Sequence, residues 1–231
     1  MADTPVPAPF RIFPGFAVPF AEVELPDTAE LNAELRTLFL EREKAGATYR
    51  NAEPSMFIQA GVFESRFDLF HWTDAPVARL RDLCNAALFR IVGELNGYGA
   101  EELRELRMNV DAWFHVTRPG GTFGLHNHPM ASWSGVYCVD NGHDGEATSG
   151  ELMFQHPAST SNMFMDLAVA NLKAPWGIAP KSYLLKPGQL VMFPSWVLHQ
   201  VLPYQGPRER ITVAFNAWFR RVAPGKPSGP P

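Results

Sequence analysis

The chain has 231 residues, of which 46% are hydrophobic and 19% charged, so it can bury a sizeable core and does not have the composition of a disordered chain. Its formal net charge of -4, without any block of Lys and Arg, argues against a nucleic-acid partner. The chain opens without a secretory signal pattern, and no apolar run has the about 20 residues of a membrane span, so we expect a cytoplasmic protein with no membrane partner.

The first 106 residues are predicted to form a helical region that packs on a C-terminal core. A helix start at residues 27–30 is followed by leucines at helical spacing that reach about Glu43. A second helix should follow residues 72–76, continue with a 3.6-residue apolar period and stop at Gly97. The stretch 51–67 has no clear periodicity, so a loop is expected between the two helices.

From residue 107 onward the pattern changes to short strands separated by turns. Strands are predicted over residues 107–117, 124–128, 132–139, 151–155, 182–185, 189–193, 199–201 and 210–219. This spacing is typical of an antiparallel barrel or sandwich. The core is expected to end at residue 221, before a flexible Pro/Gly tail over 222–231. The long segment 157–181 predicts a lid, an element with its own structure, or disorder.

Two histidines two residues apart, His126 and His128, are the strongest sign of chemistry. Residues two apart in a strand project to the same side, so both imidazoles could bind one ion. His199, from a different predicted strand, would add a third ligand. Imidazole suits zinc, iron, copper and nickel, and three protein ligands leave positions open for a cofactor, water or O2. The pattern therefore predicts a catalytic metal site.

Longer motifs around these histidines resemble known families. The spacing from Gly120 to the pair, and from Gly188 through Pro194 to His199, resembles the two cupin signatures. A closer resemblance spans residues 109–216 and includes the motifs HNHPMASWSGVY (126–137), GELMF (150–154), PGQLVMFPSWVLH (187–199) and RERITVAFN (208–216). Together these motifs resemble the Fe(II)- and 2-oxoglutarate-dependent oxygenase family of bacterial and phage proteins.

The resemblance implies a double-stranded β-helix, or jelly roll, with Fe(II) at one end and 2-oxoglutarate beside it. The metal ligands would be His126, His128 and His199, with His128 in the position where these enzymes usually carry a carboxylate. Arg210 follows His199 at the offset of the arginine that binds the distal carboxylate of 2-oxoglutarate. Its guanidinium fork matches a carboxylate and stays charged when buried. Thr212 lies on the same strand face and could donate its hydroxyl there.

The remaining polar candidates are weaker. Ser134 and Tyr137 are candidates for the cofactor pocket. The carboxylates that could replace a histidine ligand, Asp140 and Glu151, are expected to be peripheral.

The other histidines, His115, His143 and His156, are expected not to bind metal. His143 lies in a turn and is expected to be exposed.

Alternation along the last predicted strand separates two faces. Ile211, Val213 and Phe215 should lie on one face, and Arg210, Thr212 and Ala214 on the other. This division fits a barrel with a polar pocket inside and helices outside. Cys84 and Cys138 lie in apolar sequence and are expected to be reduced core residues.

Two other functions remain open at the level of sequence. One is a cupin-like enzyme that uses three histidines without 2-oxoglutarate, and the other is a non-catalytic binding module stabilised by a metal. The substrate could be a small molecule or a peptide side chain. The aromatic-rich N-terminal helices could supply the contact surface of a homodimer.

Overall fold

The computed structural model describes residues 11–54, 61–161 and 166–222. The tail predicted over 222–231 lies outside these ranges except for its first residue, and so do residues 162–165 of the long predicted segment. Within the described ranges, no helix combines the length and apolar character needed to cross a bilayer.

The described residues form three α-helices, which cover one side of the sheets: α1 (Ala29–Lys44), α2 (Ala75–Asn96) and α3 (Ala100–Glu105). The predicted bounds of α1 and α2 are confirmed to within a residue or two. Gly97 ends α2 with a φ of 67°, the left-handed conformation that favours glycine. The apolar stripe of α2 is buried at most positions, although Leu83 and Leu95 are exposed.

The part of the chain that the structure describes also contains ten strands. They are β1 (Ala21–Glu24), β2 (Val62–Glu64), β3 (Leu106–Thr117), β4 (Phe123–His126), β5 (Trp133–Asp140), β6 (Leu152–Phe154), β7 (Lys181–Tyr183), β8 (Gln189–Pro194), β9 (His199–Val201) and β10 (Arg210–Arg221). The eight strands predicted after residue 106 are all present. The long segment between β6 and β7 begins with a short 3-10 helix at Pro157–Ser161.

The strands form two antiparallel sheets, which is the architecture of a double-stranded β-helix. The major sheet has the order β1-β8-β5-β10-β3-β2, and the minor sheet has the order β4-β9-β6-β7. One apolar cluster lies between the helices and the outer face of the major sheet. A second cluster includes residues of both sheets. The helices therefore cover the outside of the barrel, as the sequence predicts.

The N-terminal half contributes more to the sheet than the sequence indicates. β1 pairs with β8 and β2 pairs with β3, so both edges of the major sheet come from the region that we expect to be helical and loop. Each of these strands has four residues or fewer, too short to show a period of two. Their conformation comes from non-local pairing, which local sequence does not record.

The two faces of β10 separate as expected. Ile211, Val213 and Phe215 belong to the core under the helices, whereas Arg210, Thr212 and Ala214 line a cavity between the sheets. The predicted division of this strand is confirmed.

Candidate metal centre

The minor sheet and the loop after β4 bring three histidines together. His126 ends β4 and is the Cα partner of His199, the first residue of β9. His128 lies two residues beyond the end of β4, so the strand is shorter than predicted. The expectation that His126 and His128 can both face one ion is still supported, because a ring nitrogen of one lies within 4.8 Å of a ring nitrogen of the other. The backbone N–H of His128 donates to the carbonyl of Ser195 at 2.9 Å, which fixes this loop against the segment before β9.

The three imidazoles are close enough to share one ion. One ring nitrogen from each of His126, His128 and His199 lies within 4.8 Å of the other two. Nδ1 of His126 is 2.7 Å from the carbonyl of Gly124, and Nδ1 of His199 is 2.9 Å from that of Val197. A carbonyl only accepts, so both Nδ1 atoms donate a proton and both Nε2 atoms keep a lone pair for a metal.

The surroundings keep these imidazoles neutral. Burial lowers the pKa of His199 to about 3 and that of His128 to about 4, and burial also lowers the pKa of His126. Repulsion from neighbouring histidines acts in the same direction at all three. Because a histidine binds metal only in its neutral form, the uncharged state at neutral pH suits a metal site.

A buried guanidinium lies in the wall of the same cavity. Arg210 begins β10 and is 4% exposed, and no acidic side chain in the described ranges forms an ion pair with it. Burial lowers the pKa of Arg210, but a guanidinium stays charged in proteins. The Cα partner of Arg210 on β3 is Thr117, whose buried hydroxyl has no hydrogen-bond partner among the described residues. Thr212 is buried and lines the cavity two residues along.

Ser134 lines the cavity, but its hydroxyl is already bonded within the protein. Its Oγ lies 2.8 Å from Oγ of Ser195 and donates to Oδ1 of Asn216 at 2.7 Å. Asn216 also lines the cavity. Sequence reasoning gave Asn216 no role, although it closes the last family-like motif and has the strand parity of Arg210 and Thr212.

Tyr137 is a correction, since it lies outside the cavity. It is three residues after Ser134 on β5, so strand alternation places the two side chains on opposite faces. Its hydroxyl donates to Oδ1 of Asn32 on α1 at 2.7 Å, within the core under the helices. Burial raises the pKa of Tyr137 to about 12. Tyr137 fastens α1 to the major sheet and does not face the pocket.

The residues expected to lie outside the metal centre do so. Asp140 forms an ion pair with Arg36 of α1, and Glu151 does not belong to the histidine group. His156 accepts a hydrogen bond from the backbone N–H of Ala158 at Nδ1. His143 is half-buried against Tyr204, so its expected full exposure is wrong.

His115 is not a member of the histidine group, as expected, but it lines the same cavity. Its Nε2 lies 3.2 Å from Oε2 of Glu64 and 3.0 Å from Nε1 of Trp113. Sequence reasoning missed Glu64, because β2, which carries it, lies in the stretch interpreted as a loop.

Comparison with known proteins finds a family similar to the C-terminal region of this chain. A family model described as "Putative 2OG-Fe(II) oxygenase" matches residues 111–216. This range contains the three histidines and Arg210. Residues 111–216 are therefore similar to the 2-oxoglutarate- and Fe(II)-dependent oxygenase family, in agreement with the resemblance of the motifs. Comparison with curated proteins finds no match.

Solved structures share the fold at low sequence identity. A prolyl-4-hydroxylase from Pseudomonas putida is 20% identical with a TM-score of 0.53, over 89% of this chain and 94% of that one. A prolyl hydroxylase from Trichoplax adhaerens, in complex with a hypoxia inducible factor peptide fragment, is 11% identical with a TM-score of 0.55, over 86% and 83%. HygX from Streptomyces hygroscopicus, with nickel and 2-oxoglutarate bound, is 12% identical with a TM-score of 0.54, over 87% and 82%. These similarities establish the double-stranded β-helix.

Proposed function

We propose that this chain is a 2-oxoglutarate-dependent dioxygenase that hydroxylates a C–H bond of a small molecule or a peptide side chain. Fe(II) would be held by His126, His128 and His199, and 2-oxoglutarate by Arg210 and Thr212. The observation that carries the proposal is the shared cavity. Three neutral imidazoles lie in one wall, and a buried guanidinium without an acidic partner among the described residues lies in the other.

The donor set fits a catalytic iron. Imidazole nitrogen is a good ligand for Fe(II), and three protein ligands leave coordination positions for a chelating cosubstrate and O2. The carbonyls of Gly124 and Val197 hold two of the rings by Nδ1, which fixes their orientation before any ion arrives and raises their basicity as ligands.

The anchor fits a carboxylate. A buried charge without an opposite charge beside it costs roughly several kcal/mol. Arg210 is therefore best explained as a receptor for an anion that enters the cavity. Its planar fork can donate two parallel hydrogen bonds to a carboxylate. The unpartnered hydroxyl of Thr117, the Cα partner of Arg210, is an additional buried donor close to this position.

The remaining wall residues orient the cosubstrate and exclude water. Phe123, Leu152 and Phe193 line the cavity beside the histidines, and their apolar side chains exclude water from that part of the wall. When bound, iron and 2-oxoglutarate supply the oxidising chemistry of the family, in which O2 is consumed and the cosubstrate is converted to succinate and CO2. The protein supplies position, neutral ligands and a dry interior.

Turnover of the cosubstrate tests the proposal without knowledge of the substrate. Purified protein is supplied with Fe(II), ascorbate and 2-oxoglutarate labelled at C1, and release of labelled CO2 is measured. We expect slow uncoupled release in the wild type and none in His199→Ala. Absence of both CO2 release and 2-oxoglutarate binding in metal-loaded wild type would overturn the proposal.

Substitution of Arg210 separates this proposal from a three-histidine enzyme that does not use 2-oxoglutarate, an alternative favoured by the histidine at position 128. Arg210→Ala should weaken 2-oxoglutarate binding by about 2 kcal/mol or more, because a buried carboxylate loses its charged partner. Arg210→Lys should recover part of it, since lysine keeps the charge but not the fork. Titration calorimetry on Ni(II)-loaded protein measures both. Unchanged affinity in Arg210→Ala would favour the alternative.

A further inference from the structure

The inner face of β3 continues past the metal centre. Phe123, at the start of β4, lies beside His115, with ring centroids 4.4 Å apart. His128, just after the end of β4, lies beside Trp113 at 6.0 Å. Residues two apart in a strand share a face. Asp111 is therefore the next side chain on this face, about 7 Å further along β3 and away from His115.

The minor sheet ends at the level of the metal centre. His126, the last residue of β4, pairs with His199, the first residue of β9. Phe154, the last residue of β6, pairs with His199 and with Lys181, the first residue of β7. All four strands of this sheet therefore end together. Asp111 lies past that level and is exposed, so it borders the space through which a substrate would reach the three histidines.

Among the described residues, no lysine or arginine forms an ion pair with the carboxylate of Asp111. Partial burial raises the pKa of Asp111, and the charge of the nearby His71 opposes this rise. Arg107 and its Cα partner Arg220 are exposed on the same face, about 13 Å further along the strand. That separation exceeds the about 8 to 10 Å over which exposed charges act at physiological salt. The carboxylate can therefore accept a cation from outside the protein.

The neighbours of Asp111 suit the uncharged part of such a ligand. Asn216 is the Cα partner of Asp111 on β10 and lines the cavity. Its Oδ1 accepts from Oγ of Ser134 at 2.7 Å, which orients the amide and leaves Nδ2 as a donor. Phe67, which is 43% exposed, packs against Trp113 with ring centroids 4.4 Å apart. These rings offer an apolar wall, and aromatic faces also attract cations.

We propose that Asp111 binds a positively charged amino group of the substrate. This inference rests on the proposed function and gives its substrate a chemical class: an amine whose carbon chain runs from Asp111 past Trp113 to the metal centre. The amine could belong to a free molecule or to a lysine side chain. A carboxylate and an ammonium group form a charge-assisted hydrogen bond, so the nitrogen would be fixed and the carbon to be oxidised would be set by the length of the chain.

Three probes that share a phenyl ring test the preference for charge: phenethylamine, 2-phenylethanol and phenylacetate. Their affinities are measured by NMR titration. We expect wild type to bind the amine about fivefold more tightly than the alcohol, and phenylacetate most weakly. Asp111→Asn keeps the size of the side chain and should remove the difference between amine and alcohol. Equal affinity of amine and alcohol in wild type, absence of amine binding, or a preference that survives in Asp111→Asn would each overturn the proposal.

Asp82→Asn is the matched control. Asp82 is exposed on α2, on the other side of the major sheet, so this variant should keep the preference for the amine. Loss of the preference in Asp82→Asn would contradict a local role of Asp111. The affinity of Ni(II)-loaded Asp111→Asn for 2-oxoglutarate should equal that of wild type, and a loss there would show a distorted cavity and would also overturn the proposal.

Competition distinguishes the two sources of the amine. A pentapeptide of four glycines around one lysine is titrated against phenethylamine. Displacement of phenethylamine would support a lysine side chain, whereas phenethylamine binding that the peptide does not compete with would support a free amine.

The outcomes also separate this inference from the proposed function. The titrations are run with and without Ni(II) and 2-oxoglutarate, because Asp111 belongs to neither proposed site. Wild type that prefers the amine through Asp111 but does not bind 2-oxoglutarate would sink the dioxygenase and leave the amine site. Wild type that binds 2-oxoglutarate and releases CO2 without a preference for the amine would sink the inference alone.

Discussion

In His126 and His199, Nδ1 makes the same kind of local hydrogen bond, which leaves Nε2 as the nitrogen that would bind metal. In each case Nδ1 donates to the carbonyl of the residue two positions earlier in the chain, Gly124 or Val197. The acceptor comes from the histidine's own segment, so the tautomer does not depend on how the two sheets pack. Each of these two proposed ligands is therefore oriented where its strand begins or ends.

Tyr137 provides a test at the level of one residue. Tyr137→Phe removes the hydroxyl that donates to Asn32 and leaves the buried Oδ1 of Asn32 without this donor. We expect a loss of about 1–2 kcal/mol in the free energy of unfolding, measured by urea denaturation, with unchanged affinity for 2-oxoglutarate. A large loss of 2-oxoglutarate affinity without a loss of stability would indicate that Tyr137 faces the pocket after all.

Individual positions show what sequence could and could not indicate. Motif spacing predicts that His126, His199 and Arg210 belong to one site, and all three line the same cavity, while their roles there stay predictions. Strand alternation from Ser134 onward places Tyr137 on the opposite face, so its position outside the pocket follows from the sequence. The position of Glu64 depends on a three-residue strand that pairs with a distant partner, so no local pattern could assign it.

At the level of elements, β5 and β10 pack through a glycine. A Cβ on Gly135 would lie 2.2 Å from the ring of Phe215, its Cα partner on β10. Phe215 is fully buried under the helices, so its ring cannot swing into solvent. The close approach lets one aromatic ring fill the space that two side chains would otherwise occupy.

Gly135→Ala should therefore destabilise the major sheet. We expect a loss of about 1–3 kcal/mol in the free energy of unfolding, the usual cost of an overpacked core. Gly145→Ala is the control, because nothing lies within 4 Å of a Cβ there. Urea denaturation of both variants measures the difference, and equal stability would contradict the close packing of Gly135 and Phe215.

The helices and strands that the sequence predicts well are those long enough for their pattern of apolar residues to repeat several times. The helical period of α2 spans 22 residues, and the alternation of β10 spans 12. β1 and β2 are short edge strands, and their conformation depends on partners far away in the chain. The sequence predicts a strand through His128 because His126 and His128 alternate as strand residues do, whereas β4 ends at His126 and Pro129 follows His128 directly.

At the scale of the whole molecule, the two cysteines lie in two different apolar clusters. Cys84 lies in the cluster between the helices and the major sheet, and Cys138 lies in the cluster that includes both sheets. Both are free and buried, as predicted. Burial raises the pKa of Cys138 to about 12 and raises that of Cys84 as well, so neither forms the reactive thiolate at neutral pH.

Thiol labelling should therefore follow unfolding of the whole molecule. In native protein at pH 8, we expect neither cysteine to react with a disulfide reagent within minutes. Both should become reactive together across the urea transition, if the two clusters unfold as one cooperative unit. Mass spectrometry of labelled peptides measures each site separately. Labelling of Cys138 at lower urea than Cys84 would show that the barrel interior opens first.

The proposed ligands and the proposed anchor belong to different sheets. His126 and His199 lie on the minor sheet, and Arg210 lies on the major sheet. Under the proposed function, a cosubstrate bound at both ends would span the gap between the sheets, which pack about 10 Å apart in proteins of this kind. Its chain length is then matched to the thickness of the barrel interior. The distance between the sheets would thus decide whether the protein prefers a five-carbon or a six-carbon 2-oxo diacid. Every residue that helps to set this distance would contribute to the preference.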